Sequence, residues 1–505
     1  MFIQLMRQSS RPLYLQVADQ LRTKIENREL APNTRLPASR VLAQELGVNR
    51  ITIVNAYAEL ETEGWVVSRV GSGTFVANEN DASLPTNEID FPPPWQGSLA
   101  PPRQWNASQM LAEMMRLARQ PGVISFANGT PANEFLPVNE FRRALNEVLR
   151  RDGAAALQYE EAVGYQPLRE TIAGYLNQQH IQVNSNDILI TAGCQQALDM
   201  TLQVLTQDDN SVLALEDPCY LGLLDLVTSR RITPASVSLD KHGLQTDRLE
   251  QIIRRYRPRL IYVTPTFHNP TGITMPLERR RALLEIATRH GIPILEDTTY
   301  DELRYEGEAL PALKSLDTAD LVFLAGGFSK TLVPGIRIGY LVVPSYLRER
   351  IIATKQTADI LTSPLNQRAL HAYLQSGHFA QHLNLVRTAY KERRDAVLAA
   401  VEQHFPAEAS WHCPQGGMYL WVKMPPFGPT ATDLYLSAIN YNVAFAVGSV
   451  FSASGSFSRA LRLSFVTNTP RKIEEGIRRL GKAWQELVVR HTQSHPSNYQ
   501  PVHIL

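Results

Sequence analysis

Lysine is the scarcer base of this chain, and one of them, Lys330, stands in GGFSKTLVPGIRIGY directly after an apolar, strand-like run. A lysine held at a strand end, out of bulk water, gives up its proton more readily, and the free amine can then form a Schiff base with an aldehyde. Lys314 in LPALKSLD and Lys355 have no such setting and read as surface lysines. Four further elements match what an aldehyde cofactor needs. PILEDTTY ends a strand on Glu296 and Asp297 and adds Tyr300; a strand-end carboxylate opposite a ring nitrogen keeps it protonated and makes the ring an electron sink. TPTFHNPTG offers Asn269 on a loop beside another strand end, in reach of a phenolic oxygen. TAGCQQALD is a strand, a glycine turn and a helix start, so the amides of Gly193, Cys194 and Gln195 form an anion cradle. EDPCY places Tyr220 where an aromatic can cover a flat ring. Singly each is ordinary structure; in this order on one chain they point to pyridoxal phosphate.

The elements that must position these groups follow a βαβ rhythm from about residue 121. DILITAG precedes CQQALDMTLQVLTQ, SVLALED a helix after Pro218, and RLIYVTP the run PLERRRALLEIATRH; GIPILED, LVFLAGG and IRIGYLVV follow. The pattern predicts a mainly parallel sheet covered by helices. Beyond about 365 come a long helix and an α+β stretch ending near Trp484, with QGGMYLW as a turn into a strand where Met418 and Tyr419 read as packing. His268, beside Asn269, has no partner at metal spacing and reads as a loop histidine; no metal site is expected.

The N-terminal region is built differently. Leu13, Val17, Leu21 and Ile25 share one helical face. Ser39 can cap a short helix carrying Val41, Leu42 and Leu46; Gly47 turns the chain, and Asn49 can cap a longer helix with Ile53, Tyr57 and Leu60. Two helices joined by a short glycine-headed turn are a helix-turn-helix, and WVVSRV-GSG-TFVA after Gly64 reads as a hairpin wing. The second helix of such a motif presents its first residues, here Asn49, Arg50 and Thr52, to base edges. Residues 33–77 hold Arg35, Arg40, Arg50 and Arg69 against Glu45, Glu59, Glu61 and Glu63; the arginines gather before and at the start of that helix, the glutamates at its far end.

Length and charge bound the rest. At 505 residues, two or more domains are expected, and 50 basic against 49 acidic side chains exclude a chain held to nucleic acid or membrane by bulk charge. Cys194, Cys219 and Cys413 fall in no C-x-x-C spacing, which fits a reducing cytoplasm and not a disulfide framework. No apolar run of about 18 residues occurs, so no span and no membrane partner is expected. The reading is domains at 10–78 and 121–490, a Pro-rich linker over 79–120 within which MLAEMMRLA forms a short helix, and a solvated tail over 491–505.

On these residues the stretch LPASRVLAQELGVNRITIVNAYAELETEGWV with its GSGTFV wing resembles the winged helix-turn-helix of GntR-type regulators. The likeness implies Arg40 and Arg50 as DNA contacts, with Thr52 and, at the wing tip, Gly73. The ordered set Tyr159, Gly193-Cys194-Gln195, Tyr220, Asn269, Asp297, Tyr300, Lys330, Arg337 and Arg462 resembles fold-type I aminotransferases of class I/II, with a large α/β domain and a small α+β subdomain. That resemblance implies Lys330 as the catalytic Schiff-base lysine, Arg337 on the cofactor phosphate, Tyr159 reaching the neighbouring subunit's phosphate, and Arg462 in LRLSF, in preference to Arg459, on a substrate carboxylate. Two positions depart from the family: Gly327 stands where many relatives place a hydroxyl on the phosphate, and Cys194 where a small or hydroxylated residue is usual.

Together the halves resemble the MocR/GabR group of bacterial regulators, which implies a cytoplasmic homodimer, head-to-tail with swapped domains, that binds a double-stranded DNA operator and senses pyridoxal phosphate or an amino acid or amine through an aldimine at Lys330. A second reading is an active aminotransferase with an attached DNA reader; transamination, at most partial or slow in the first reading, is then substantial. A third, an interaction protein whose Arg40 and Arg50 are idle, predicts operator binding unchanged in Arg50→Ala.

Overall fold

In the computed structural model, which describes residues 3–6, 11–69, 73–78, 112, 114, 116–208 and 210–494, the chain divides into two compact units, Met1–Pro102 and Arg103–Leu505. The first is three helices, α1 (Leu13–Glu26), α2 (Ser39–Leu46) and α3 (Arg50–Thr62), and a hairpin of β1 (Val66–Arg69) and β2 (Gly73–Val76). Val17, Leu21, Leu42, Ile53, Tyr57, Leu60, Val66 and Val76 close one small core. Gly47, at φ 62°, ends α2 in the left-handed conformation that glycine adopts without strain. Ser39 does not cap α2: the cap position is Ala38, and the Ser39 hydroxyl accepts from Arg50 Nε at 3.4 Å instead. Val41 points outward at 50% exposure while Ala43 takes the inner place, because a two-turn helix buries only a narrow stripe. The hairpin is antiparallel from Val66↔Val76 to Arg69↔Gly73; Gly73 thus opens β2, and the tip, 70–72, lies outside the described residues. So do 79–111 of the linker and the tail after 494. Within MLAEMMRLA, Ala112, Met114 and 116–118 are helical.

The second unit starts with β3 (Ile124–Ser125) and builds an eight-stranded sheet from β4 (Ile188–Thr191), β5 (Val212–Asp217), β6 (Thr233–Asp240), β7 (Gly243–Leu244), β8 (Leu260–Val263), β9 (Ile294–Asp297), β10 (Val322–Gly327) and β11 (Gly339–Val342). Their order is β4-β11-β10-β9-β8-β5-β6-β7. The run β10-β9-β8-β5-β6 is parallel, and β11 lies antiparallel between β10 and β4. Composition carries no strand direction, and the short connection 328–338 is under the dozen or so residues a parallel crossover needs. Leu213, Leu215, Tyr262, Leu295 and Phe323 pack on one face of the sheet, and Ala214, Ile261, Val263, Ile294 and Val322 on the other, so the central strands are buried on both sides, as parallel strands are.

From β5 the chain proceeds outward to β6; from β8 it proceeds the other way, to β9 and β10. Loops leaving the carboxyl ends of neighbouring β5 and β8 therefore splay apart and open a crevice, the place where open α/β sheets bind ligands. A second sheet, β12 (Ser410–Trp411), β13 (Tyr419–Lys423), β15 (Ala446–Val447) and β16 (Ala460–Ser464), forms the small lobe in the order β12-β13-β16-β15, while β14 (Val443–Ala444) pairs with β3. The 27-residue helix His378–His404, about 40 Å long at 1.5 Å per residue, packs on helix Pro470–Ser494. The latter takes residues 491–494 into the fold, four more than the tail boundary expected. Lys355 is not a surface lysine: it is fully buried, and its ammonium donates to Asp359 at 2.8 Å and Thr362 at 2.9 Å. Among the described residues no helix is long and apolar enough to cross a membrane.

Candidate active site and DNA reader

At the end of β10 the chain turns tightly, and Lys330, half-buried, donates from Nζ to the Gly129 carbonyl at 2.7 Å. Asp297, the last residue of β9, is held from two sides. Its Oδ2 accepts from the Tyr262 hydroxyl at 3.0 Å, and Oδ1 from the Thr299 amide at 3.0 Å and the Thr299 hydroxyl at 2.6 Å. Cys194 Sγ lies 3.6 Å from the same Oδ1. Desolvation, reinforced by the Asp297 charge, pushes the Cys194 thiol well up, so it stays protonated and unreactive.

The anion cradle is built from backbone. Gly193, at φ 90°, precedes helix Cys194–Leu205, whose first amides receive no side-chain cap. A Cβ on Gly193 would lie 2.7 Å from Arg337 Nη2, and one on Gly339 would meet the Gly193 carbonyl carbon at 2.6 Å and the Cys194 nitrogen at 2.8 Å. Gly339 is therefore demanded by close backbone approach, and Gly193 by its positive φ. Arg337, left-handed at φ 54°, brings its guanidinium to this point and donates to the Ala192 carbonyl at 3.0 Å. At Gly327 a Cβ would be in ordinary contact only, so the missing hydroxyl there reflects no crowding. Gln195 donates to the Gly222 carbonyl at 2.7 Å and accepts from the Tyr220 hydroxyl at 3.1 Å, which ties the Tyr220 ring to this helix start.

Arg462, buried in β16, joins the small lobe to this floor. Its Nη1 donates to Asn269 Oδ1 at 2.9 Å and its Nη2 to the Ala127 carbonyl at 2.7 Å, while Nε has no partner. Its guanidinium carbon sits 4.2 Å from the Tyr419 ring centroid and 4.6 Å from that of Phe451. Asn269 in turn donates to the Tyr300 hydroxyl at 3.0 Å, which is 3.3 Å from that of Tyr419. Burial acts to raise both phenols. At Tyr419 the charges of Arg462 and Lys330 and the Tyr300 hydroxyl outweigh it, leaving Tyr419 below the ordinary tyrosine range; Tyr300, beside it, rises well above. Arg459 lies apart, donating to the Pro429 carbonyl at 3.0 Å. Tyr159 does not join this chain's own constellation: it is 84% exposed.

Sequence reasoning did not anticipate Gly129, Ala127, Tyr262, Thr299 and Gly339, and took Tyr419 for packing alone. Gly129 and Ala127 act through carbonyls, which no side-chain pattern reveals. Only GGMYLW, with a phenol where its neighbours are apolar, carries a signal in the sequence. His268 pairs with Thr271 at 2.8 Å and lies 3.3 Å from Glu216, and among the described residues no three His, Cys, Asp or Glu cluster as a metal site.

These residues fit pyridoxal phosphate. The glycine-lined helix start and Arg337 suit its phosphate, Asp297 its ring nitrogen, Asn269 and Tyr300 its phenolic oxygen, and Lys330 its aldehyde; the orphaned Arg462 Nε is a donor left for a carboxylate.

In the first unit, Asn49 caps α3, its side chain accepting from the Ile51 amide at 3.0 Å. Arg40, Arg50 and Gly73 are exposed, Thr52 half-buried. The Arg35 guanidinium lies over Gly73, where a Cβ would come within 3.0 Å of Nε.

The family model of class I and II aminotransferases matches residues 121–480, and that of bacterial regulatory proteins of the gntR family matches 13–76. The chain is 32% identical to the uncharacterized HTH-type transcriptional regulator YdfD of Bacillus subtilis, over 95% of this chain and 98% of that one. It is also 32% identical to the probable rhizopine catabolism regulatory protein MocR of Rhizobium meliloti, over 80% of each. Among solved structures, the alpha-aminoadipate aminotransferase LysN of Thermus thermophilus, complexed with N-(5'-phosphopyridoxyl)-L-leucine, superposes with a TM-score of 0.71 at 35% identity, covering 78% of this chain and 99% of that one.

Proposed function

The chain belongs to the class I and II aminotransferase family, joined to a gntR-type helix-turn-helix domain as in MocR-type regulators, and on that premise we propose that it is a cytoplasmic, pyridoxal phosphate-dependent transcription regulator that changes its grip on a DNA operator when an amino acid or amine enters the site of Lys330. The observation that carries this reading is one polypeptide with both residues that fit pyridoxal phosphate and a gntR-type domain, aligned along 95% of its length with a relative named as a regulator.

Bound pyridoxal phosphate supplies an aldehyde that captures amines and a ring that withdraws electrons from the carbon bearing them. The chain's residues do the rest. Lys330 would hold the group's aldehyde, and its free amine donates to the Gly129 carbonyl at 2.7 Å. Arg462 takes a ligand carboxylate on its unpartnered Nε, while Nη1 and Nη2 stay on Asn269 and Ala127. Because Arg462 belongs to the small lobe and Asn269 to the large one, a carboxylate that bonds Nε while the fork stays on Asn269 adds a contact at the junction of the lobes and favours their closure. Closure biases DNA binding only for a ligand with different affinity for the open and closed states. The assembly proposed is a head-to-tail homodimer with swapped domains, in which exposed Tyr159 serves the partner's phosphate and two readers meet paired half-sites.

The test is a titration of amines and amino acids into the cofactor-loaded full chain with labelled operator. The expected outcome is an effector-dependent change of affinity or footprint in the wild type that Lys330→Ala lacks; unchanged operator binding with every compound overturns the reading. The intact pair of Lys330 and Asp297, one to move a proton and one to hold the ring nitrogen, also favours slow transamination. Rapid multiple turnover with amino and keto acid pairs would make the chain an enzyme first.

A further inference from the structure

A helix that packs one face into a core ordinarily turns polar side chains outward. α3 does not. Ile53, Ala56, Tyr57 and Leu60 are buried, and the opposite stripe runs Arg50, Ile51, Val54, Asn55 and Ala58, with Ile51 59% and Val54 39% exposed. Ile51 and Val54 are three residues apart, hence neighbours on the helix surface. The Asn49 cap on the Ile51 amide places them in its first turns, the end that enters the groove in a helix-turn-helix. Thr52, the residue between, is half-buried.

The charge around the pair identifies its partner. Exposed Arg50 is the residue before Ile51 and its Nε lies 3.4 Å from the Ser39 hydroxyl, next to exposed Arg40; Arg35, in the segment that bridges to β2, lies over Gly73, and Arg69 of the wing lies over the Phe75 ring at 5.0 Å. Glu59, Glu61 and Glu63 occupy the opposite end of α3. An apolar pair flanked in the chain by an exposed guanidinium, on a helix whose glutamates lie at the far end, suits a polyanion that offers an apolar group between its phosphates, and in the major groove that group is the thymine C5-methyl. Neither side chain can hydrogen-bond a base edge, so against any other base they would only strip water from it. Resting on the reading of this unit as a DNA reader, we propose that Ile51 and Val54 are its specificity-determining residues and read thymine methyl groups, with the arginines beside them setting the register.

The test uses the full chain loaded with pyridoxal phosphate and a random duplex pool. The best-bound duplex is selected and footprinted, and its thymines are then replaced one at a time by deoxyuridine, which lacks only the methyl. The expected result is a loss of about three- to five-fold at one or two positions in each half-site, the size of one buried methyl contact. Ile51→Ser or Val54→Ser abolishes the penalty at its own position without altering the salt slope, since no phosphate contact is lost; Ile51→Val retains part of it. Thermal melts confirm that these exposed variants stay folded. Uniform indifference to deoxyuridine overturns the proposal, as does a methyl penalty that survives both serine variants. A change in self-association in place of DNA selectivity assigns the pair to a protein contact and also overturns it. A chain that selects no duplex at all brings down the DNA reader itself, a failure distinct from binding DNA without methyl discrimination.

Discussion

The two functional regions of this chain hold their working groups in opposite ways. In the second unit Asp297, Asn269, Tyr300 and Arg462 are buried, and each is bound to another member of the site or to its walls. In the first, Arg40 and Arg50 are exposed, and the contact from Arg50 Nε to Ser39, at 3.4 Å, is long. A buried, mutually bonded site is preorganised, so removing one member disturbs the remainder. An exposed reader meets its partner with groups that fold stability does not need. Function and stability should therefore be separable in the reader and entangled in the site.

The sharpest separation within the site is expected at Lys330, its least entangled member. Lys330→Ala should abolish covalent retention of pyridoxal phosphate, read as loss of the cofactor-linked absorbance and of a borohydride-trapped adduct. Only one half-buried side-chain bond is lost, so the melting temperature of the cofactor-free protein should barely move. A large drop would place Lys330 among the entangled groups and weaken the contrast.

Arg462→Ala and Arg50→Ala test the contrast directly. The first strands Asn269 Oδ1 and the Ala127 carbonyl and opens space under Tyr419 and Phe451, so it should cost about 2–4 kcal/mol of stability and reduce affinity for carboxylate-bearing effectors about 100-fold. Simple amines should lose far less. Arg50→Ala should leave stability within about 0.5 kcal/mol while weakening operator binding roughly tenfold or more. Denaturant melts and binding isotherms on the same two proteins decide it; equal stability losses would erase the distinction.

What the sequence made legible follows the same divide. Side chains at strand ends, Asp297, Asn269 and Lys330, were readable because each follows an apolar run that can only be a strand. Arg462 and Arg337 were placed by family likeness. The antiparallel β11 was not readable, because IRIGYLVV has the same apolar texture in either direction, and the acceptors Gly129 and Ala127 were not, because every residue has a carbonyl. Buried Lys355 was misread since its partner Asp359, one turn on, looks like any solvated pair on a helix surface. In the reader the helices, the hairpin and the Asn49 cap were legible, while the cap of α2 and the outward Val41 were not; which residues of α3 face outward depends on its rotation against α1, and that is how Ile51 escaped notice.

The Asn49 cap offers a smaller effect that links the two properties in the reader. Asn49→Ala removes the acceptor of the Ile51 amide and should lower stability by about 1 kcal/mol. It frays the very turn that carries Arg50 and Ile51, so operator affinity should fall a few-fold; Asn49→Asp should restore most of both. Melts and binding isotherms of the two variants check this, and an affinity unchanged at lowered stability would mean that something else fixes the turn.

The smallest effect lies in the second unit and concerns a pair remote from the chemistry. Glu306, on the loop after Tyr300, receives both Nη1 and Nη2 of Arg394 at 2.9 Å and the Lys391 ammonium at 3.2 Å, both from the long helix His378–His404. The Arg394 hydrogen bonds hold its carboxyl at about 2, below the ordinary 4.5. Its folded pKa being depressed, the native state binds fewer protons than the unfolded chain between those values. The stabilisation is therefore fully present above about pH 4.5 and is lost as pH falls through about 2. Glu306 is 42% exposed, so solvent screening limits the gain to about 1 kcal/mol. Melting Glu306→Gln beside the wild type should give a constant small gap from pH 7 down to about 5 that narrows steadily on further acidification. A gap that persists unchanged to pH 2 would mean the pair works by packing and not by charge. The buried Arg394 would then be held by Asp395, 2.8 Å from its Nε, and the Pro414 carbonyl, 3.0 Å from its Nη1.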